Sequence, residues 1–149
     1  MNISYTIQTK IIRPEDLNGQ HRLFGGRLME WIDECAGIAA RRYCHGNITT
    51  ACVDRLDFLK GAHENDIIVL EAQVIYTGHT SMEVMVKTSV EHIDGELTLI
   101  NTAFLVEVAM DENEKPRPVI PYVPETEEEK MLWELADQRS KLRKAVKDK

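Results

Sequence analysis

Apolar and polar residues alternate along four long stretches and one short stretch of the chain, and this period of two predicts β-strands. The five predicted strands are Tyr5–Ile12, Thr49–Leu59, Asp66–Tyr76, Ser81–His92 and Leu97–Met110. Alternation indicates that each strand has one buried face and one wetter face, as in an antiparallel sheet. The buried face of the last two predicted strands is expected to hold Met82, Val84, Val86 and Val90, and Ile100, Phe104, Val106 and Val108. In the Asp66–Tyr76 strand it is expected to hold Ile68, Leu70, Ala72, Val74 and Tyr76.

Between Gly26 and Tyr43 the pattern changes to a helical period of 3.6 residues. One stripe is formed by Leu28, Ile32, Cys35, Ala36 and Ala39, and it is widened almost all the way round by Met29, Trp31 and Ile38. A helix that is apolar on nearly every side is expected to be buried. Asp33 would then be a buried carboxylate, which is costly unless it has a partner or a function.

One long helix and five strands predict an α+β fold, in which an antiparallel sheet wraps around the central helix. A second helix is expected after Thr126, where Thr126 and Glu129 form a capping box, and it begins acidic and ends basic. We therefore expect a main domain over residues 1–124 and a C-terminal helix over 125–149, packed on it or beside it.

Composition narrows the classes of function. The 149 residues carry a net charge of −7, which argues against non-specific nucleic-acid binding. The odd number of cysteines, Cys35, Cys44 and Cys52, without a secretory segment indicates reduced thiols in the cytoplasm, and their spacing matches no zinc site. No stretch is long and apolar enough to predict a membrane span.

Candidate chemistry begins at Gly25 and Gly26, directly before the central helix. The first N–H groups of a helix lack internal partners and can face a negative charge or a developing oxyanion. Two turns later stands Asp33. The sequence chemistry leaves two interpretations open: an electrophile-activating helix end with a catalytic carboxylate, or a plain turn with a paired aspartate.

Four separated motifs resemble the hot-dog-fold acyl-CoA thioesterases. The first runs from Asn18 through Phe24-Gly25-Gly26 and Leu28-Met29 to Asp33. The others follow in the same order as in that family, namely Thr50-Ala51-x-Val53-Asp54-x-x-x-Phe58, Gly78-x-Thr80-Ser81-Met82-Glu83-Val84 and Pro121-x-x-Pro124-Glu125-Thr126. The likeness covers about Ile11 to Arg143. One departure is His21, which stands where the family often has glycine.

The resemblance implies hydrolysis of acyl-CoA thioesters, with Asn18 and Asp33 as the catalytic asparagine and aspartate, supplied by different subunits. Backbone amides at Gly25-Gly26 would polarise the thioester carbonyl, and Thr50 would lie near the site. Whether Asp33 acts as base or nucleophile, and whether Asn18 orients water or the carbonyl, stays open. Coenzyme A would enter as part of the substrate, with no cofactor or metal required. The expected assembly is a homodimer, further associated as a trimer of dimers.

Candidate contacts to coenzyme A are Gly25, the turn Gly78-His79-Thr80-Ser81, and the basic residues Lys60, Arg139 and Arg143. Two other functions compete with hydrolysis. A non-catalytic acyl-CoA sensor on the same fold would need an output element, and a hydratase or dehydratase would need a histidine beside its carboxylate. His21 is the only histidine near the first motif.

Overall fold

The structure is a computed structural model that describes residues 2–147. In chain order it contains strand β1 (Thr6–Ile11), a 3-10 turn (Pro14–Asp16), helix α1 (Gly25–Cys44), strands β2 (Ile48–Phe58), β3 (Ile67–Thr77), β4 (Ser81–Glu91) and β5 (Leu97–Ala109), and helix α2 (Glu127–Lys147). The predicted strands and central helix are all present, with ends within one residue of those expected. Residues 148–149 of the predicted C-terminal helix lie outside the described part of the chain.

The five strands form one antiparallel sheet in the order β1-β3-β4-β5-β2. Short turns join β3, β4 and β5 as neighbours, whereas β2 follows α1 and pairs with β5 at one edge of the sheet. The α+β architecture with a long helix on the sheet and an extra C-terminal helix is therefore confirmed. The division of the chain at residue 124 stays a prediction.

Helix α1 buries one face against the sheet. Leu28, Ile32 and Cys35 belong to a continuous apolar core with Leu70 and Val84 of the sheet. The opposite side of α1 is open in the single chain: Met29 is 44% exposed, and Asp33 is also exposed. The expectation of a helix buried on nearly every side is therefore wrong for one isolated chain, because the sheet covers only one face.

Helix α2 covers part of the other face of the sheet. Its Trp133 and Ala136 pack against Tyr76 and Met85, with the Tyr76 and Trp133 ring centroids 5.2 Å apart. As a result β4 is buried on both faces, and even Glu83 is only 1% exposed. The expectation of one wetter face on β4 is wrong because the C-terminal helix returns to shield it.

Two bulges change which residues share a face. The pairing register shifts between Val74 and Tyr76 in β3, so Tyr76 joins the α2 side rather than the α1 side. In β5 the register shifts at Ile100, so Ile100 faces α1 while Phe104 faces α2. The expected face of Ile100, Phe104, Val106 and Val108 is therefore wrong, because a bulge inserts one unpaired residue and resets the alternation.

Candidate active site

Asp33 and Thr50 meet across the gap between α1 and the edge strand β2. Asp33 lies two turns into α1 on its open side, and Thr50 lies near the start of β2. The hydroxyl Oγ1 of Thr50 is 2.7 Å from Oδ1 of Asp33, a hydrogen-bond distance. The structure thus brings together two of the residues that the sequence singled out.

A third residue, Glu107 of β5, completes this cluster and was missed by the sequence analysis. It stands directly opposite Thr50 in the pairing of β2 and β5. Its carboxylate oxygens lie 2.9 and 3.1 Å from Thr50 Oγ1. The side chain is fully buried. Burial raises the pKa of Glu107 to about 7; the Thr50 hydrogen bond opposes the rise, and the negative charge of Asp33 adds to it.

A signal for Glu107 was present in the sequence. Ala103, Leu105 and Ala109 all share its parity in β5, and they form the face that packs against α1. A lone carboxylate in such a row is a buried acid, which requires an explanation. The bulge at Ile100 concealed this row, because counting from Ile100 places the valines on the core face instead.

Gly26, Asp33 and Thr50 line one cleft of about 330 Å³, whose apolar walls include Ile32 and Leu105. Gly26 belongs to the first turn of α1, where the N–H groups of Arg27 and Leu28 bond back to the carbonyl of Phe24. Among the hydrogen bonds of the described residues, none uses the N–H groups of Gly25 and Gly26. A Cβ at position 26 would lie 2.8 Å from the ring of Phe24. Glycine at this position therefore allows the Phe24 ring to lie close to the backbone of the first turn.

Asn18 lines a different cleft, of about 410 Å³, together with Gly25 and Lys60. Its side-chain oxygen Oδ1 accepts hydrogen bonds from the backbone N–H groups of Gln20 and Arg22, at 2.9 and 3.2 Å. That oxygen is therefore committed to the loop, and the amide Nδ2 is the group left to act as a donor. Within one chain, Asn18 and Asp33 do not share a cleft.

The loop after Asn18 closes through His21, whose φ of 62° lies in the left-handed region. Glycine adopts this conformation without strain, whereas a residue with a Cβ adopts it at some cost. Position 21 is where the thioesterase family often has glycine. The backbone at this position therefore takes a conformation that suits glycine, even though the side chain is histidine.

Arg139 and Arg143 of α2 are held by carboxylates. Two guanidinium nitrogens of Arg139 contact Glu83 at 2.6 and 3.2 Å, and its guanidinium carbon lies 4.1 Å from the ring centre of Phe104. Arg143 bonds to Asp54 of β2 and lies 3.3 Å from Glu83. These contacts fasten α2 to the sheet, so any phosphate would compete with two carboxylates for the arginines.

The turn from Gly78 to Ser81 joins β3 to β4 at the end of the sheet where β2 begins. The carbonyls of His79 and Thr80 accept the N–H groups of Val119 and Ala109, and Gly78 donates to the carbonyl of Ser81. Lys60 follows Phe58, the last residue of β2, which lies about 26 Å along the strand from Thr50. One chain therefore does not bring all the candidate coenzyme A contacts together.

The thiols of Cys35 and Cys52 are poor nucleophiles near neutral pH. Burial raises the pKa of Cys35 to about 11, and burial also raises the pKa of Cys52, so both stay protonated near neutral pH. Within residues 2–147, His, Cys, Asp and Glu side chains form no group of three or more suited to a metal ion. Over the same residues, neither helix has the length and apolar character needed to cross a membrane.

Comparison with known proteins assigns this chain and its fold to a family. The family model described as "Thioesterase superfamily" matches residues 20–94 of the chain. The chain is 46% identical over 142 residues to the uncharacterized acyl-CoA thioester hydrolase YkhA of Bacillus subtilis, covering 95% of this chain and 83% of that protein. It is 41% identical to an apo hexameric acyl-CoA thioesterase of known structure, with a TM-score of 0.91 and coverage of 97% and 93%.

A third similar protein is the acyl-CoA hydrolase of Staphylococcus aureus, solved with butyryl coenzyme A, coenzyme A and coenzyme A disulfide. It is 36% identical, with a TM-score of 0.91 and coverage of 97% of this chain and 89% of that one. Alanine variants of its asparagine, aspartate and threonine have also been solved. The spacings between those three residues equal the spacings from Asn18 to Asp33 and from Asp33 to Thr50.

Proposed function

The chain belongs to the thioesterase superfamily, and we propose that it hydrolyses acyl-CoA thioesters to a free carboxylic acid and coenzyme A. The observation that carries the proposal is the Asp33–Thr50 pair, which shares a cleft with the open first turn of α1 at Gly26. A carboxylate beside a site for a developing oxyanion is the arrangement that thioester hydrolysis needs.

In this mechanism the thioester carbonyl lies near the first turn of α1, where the N–H groups at Gly25-Gly26 stabilise the oxyanion. Asp33 then either removes a proton from an attacking water or attacks the carbonyl itself. In the first route the thiolate of coenzyme A leaves and takes up the proton that Asp33 removed from the water. In the second route the thiolate leaves as the acyl group bonds to Asp33, and a water then cleaves this anhydride, which releases the acid, restores Asp33 and supplies the proton for the thiolate. The apolar walls of the cleft, which include Ile32 and Leu105, suit the acyl chain.

Asn18 acts as a hydrogen-bond donor in the proposed site. Its Oδ1 is used by the backbone of its own loop, which leaves the amide Nδ2 to orient the water or the carbonyl oxygen. Thr50 holds Asp33 through its hydroxyl. The matching spacing of asparagine, aspartate and threonine in the Staphylococcus aureus hydrolase supports these three assignments.

We propose that each active site is shared by two copies of the chain. Asn18 and Asp33 line separate clefts in one copy, so a second copy would supply the missing residue. The open side of α1 and the edge strand β2 provide a surface for this contact, since Met29 and Val53 are both exposed there. The similar thioesterase that is hexameric supports a trimer of such dimers.

Recognition of the coenzyme A phosphates is proposed to involve Gly25 and Lys60, which line the same cleft as Asn18. The turn Gly78-His79-Thr80-Ser81 lies at the other end of the sheet, so it would serve a neighbouring site or the pantetheine arm. Arg139 and Arg143 remain candidates only if phosphate displaces part of their carboxylate contacts. Coenzyme A enters as substrate and product, and the proposal needs no further cofactor.

Hydrolysis is favoured over the two competing functions. The similar proteins described above are named as acyl-CoA hydrolases, and the sensor function is therefore not favoured. A hydratase would require a histidine beside Asp33, whereas the described residues of one chain that line the cleft of Asp33 include no histidine. The cytoplasmic location predicted from the cysteines stays a prediction.

The proposed activity is tested by following thiol release from a series of acyl-CoA esters, from acetyl to palmitoyl, with the purified wild-type chain. We expect turnover with part of the series, and the chain-length profile would identify the acyl group that the cleft accepts. Asp33→Ala serves as the matched control for background hydrolysis. Binding of acyl-CoA without release of thiol at any chain length would favour the sensor and contradict the proposal.

The shared site is tested by mixing two variants that each have reduced activity. Asn18→Ala and Asp33→Ala chains are unfolded together and refolded so that subunits exchange at random. If the two residues come from different copies, half of the dimers are mixed and each mixed dimer keeps one intact site, restoring about a quarter of wild-type turnover. Mixing would restore nothing if both residues acted within one copy, and a stable, active monomer in light scattering would also exclude the shared site.

A further inference from the structure

The hydroxyl of Thr50 lies between two carboxyl groups. Its Oγ1 is 2.7 Å from Asp33 Oδ1 and 2.9 Å from the nearer oxygen of Glu107. Both are hydrogen-bond distances between oxygen atoms, so each contact needs a hydrogen. A threonine hydroxyl carries one hydrogen and can donate it to one acceptor at a time. Both contacts can be full hydrogen bonds only if one of the two carboxyl groups holds a second hydrogen.

Burial decides which carboxyl group holds that hydrogen. Glu107 is fully buried, whereas Asp33 is exposed on the open side of α1. Removing a carboxylate from water penalises its charged form, and the nearby charge of Asp33 penalises it further. The pKa of Glu107 rises to about 7 for these two reasons. Among residues 2–147, no Lys, Arg or His side chain forms an ion pair with either carboxyl group.

The groups that face Glu107 come from three elements. Helix α1 contributes the carboxylate of Asp33, and β2 contributes the hydroxyl of Thr50. On the other side, β4 places the apolar Met82 opposite Glu107 in the strand pairing. The next residue, Glu83, belongs to the other face of the sheet, where Arg139 neutralises it. Asp33 is thus the charged group that acts on Glu107 from the packed elements.

We propose that Glu107 is a positioning residue that stays protonated in the active enzyme and thereby fixes the Thr50 hydroxyl as a donor to Asp33. This inference rests on the proposed hydrolase function. The Glu107 hydroxyl donates to Thr50 Oγ1, whose own hydrogen is donated to Asp33 Oδ1. Asp33 then keeps its negative charge and a fixed orientation, with its second oxygen free for the reaction. When Glu107 loses its proton, two carboxylates compete for one hydroxyl hydrogen, and Asp33 loses its donor in part of the molecules.

The proton itself can be observed in the wild-type chain by ¹³C NMR with glutamate labelled at the carboxyl carbon, using Glu107→Gln to assign the signal. We expect the Glu107 signal to stay at the protonated position through pH 6 and to titrate near pH 7. A signal that titrates with the exposed glutamates between about pH 4 and 5 would overturn the proposal. The measurement needs no turnover, so failure of the hydrolase assay would be recognised separately.

The effect on the reaction is tested with Glu107→Gln, whose amide can donate to Thr50 at every pH. The wild-type kcat should fall about 3- to 10-fold above pH 7, as expected for one lost hydrogen bond, whereas the variant should not show this fall. Glu71→Gln is the control, because Glu71 bonds to Tyr5 at the far edge of the sheet and should leave the wild-type profile unchanged. An identical alkaline fall in Glu107→Gln would overturn the proposal.

Action through Thr50 is tested by combining substitutions. Glu107→Ala should lower kcat about 3- to 10-fold with little change in KM in the wild-type background. In a Thr50→Val background the same change should have no further effect, because the hydroxyl that transmits it is already absent. Equal losses in both backgrounds would show that Glu107 acts only by supporting the fold. If Glu107→Ala fails to fold, the same cycle run at pH 8 with Glu107→Gln decides the question.

Discussion

Glu83 and Glu107 are both buried glutamates in neighbouring central strands, yet they face opposite sides of the sheet and have opposite surroundings. Glu83 is held by Arg139 and Arg143 from α2. Glu107 meets another carboxylate, Asp33, through the hydroxyl of Thr50. A buried acid that is fully neutralised by cations fastens two elements together. A buried acid placed beside a second acid has a shifted pKa, which is typical of functional sites.

The largest effect is expected on kcat, from a substitution of Asp33, the carboxylate that neighbours Glu107. Asp33→Ala should lower kcat by about 10² to 10⁴, because a positioned general base typically contributes that much. Steady-state kinetics with a good acyl-CoA substrate measures the change, and thermal unfolding checks that the fold is kept. Asn18→Ala should cost less, since it orients rather than reacts. Near-normal turnover of Asp33→Ala with unchanged KM would refute the assignment of Asp33.

The structural role of Glu83 is tested by the substitution Glu83→Ala. Removing Glu83 leaves the mostly buried Arg139 without its carboxylate partner and leaves Arg143 with Asp54 alone, which should lower the free energy of unfolding by about 3 kcal/mol. Urea denaturation measures this loss. Glu83→Gln is the matched variant that keeps the shape and tests the charge alone. A loss of less than about 0.5 kcal/mol would show that the ion pairs are as weak as exposed ones.

The raised pKa of Glu107 should also make the stability of the fold depend on pH. The folded-state pKa of Glu107 is about 7, above the unfolded value of 4.5, so the folded state holds its proton more tightly. Its stabilising contribution is therefore complete below pH 4.5 and is lost as the pH rises to 7, a change of about 3 kcal/mol at most. The difference in unfolding free energy between wild type and Glu107→Gln isolates this change from other carboxyl groups. A difference that is constant with pH would contradict the raised pKa.

The smallest effect is expected at the candidate phosphate contacts. Lys60→Ala should raise KM for acyl-CoA a few-fold with little change in kcat, because it would hold the nucleotide portion rather than the reacting carbonyl. Affinity should fall as salt rises, since exposed phosphate contacts are screened over about 8–10 Å. Kinetics on a thioester that lacks the nucleotide provides the comparison, and that substrate should be nearly insensitive to the substitution.

The same assay applied to Arg139→Ala and Arg143→Ala separates ligand binding from their contacts with Glu83 and Asp54. An increase in KM only for the full-length acyl-CoA would indicate a phosphate contact. Equal losses on the full-length and truncated thioesters would indicate that the two arginines serve the structure alone. The site would then be sought around Lys60.

The sequence by itself determined the helices and strands, and it singled out the start of α1 as a candidate site. The spacing of apolar residues, with a period of two in strands and 3.6 in helices, is a local property of the sequence. It therefore located the ends of every strand and of α1 to within one residue. The spacing of Asn18, Gly26, Asp33 and Thr50 likewise lies within one part of the chain and could be compared directly with a family. The capping box of α2 is also local, because Thr126 and Glu129 are three residues apart. Both residues make the expected hydrogen bonds.

Only the tertiary structure decided which distant groups meet. Thr50 and Glu107 are 57 positions apart, and their contact depends on the pairing register of β2 and β5. That register shifts at Ala51 and again at Asp54 of β2, and a shift of one residue moves every following side chain to the other face. The partners of Arg139 and the exposure of Asp33 depend in the same way on how helices pack on the sheet. Burial and neighbouring charge set the protonation of Glu107, and neither quantity exists until the chain has folded.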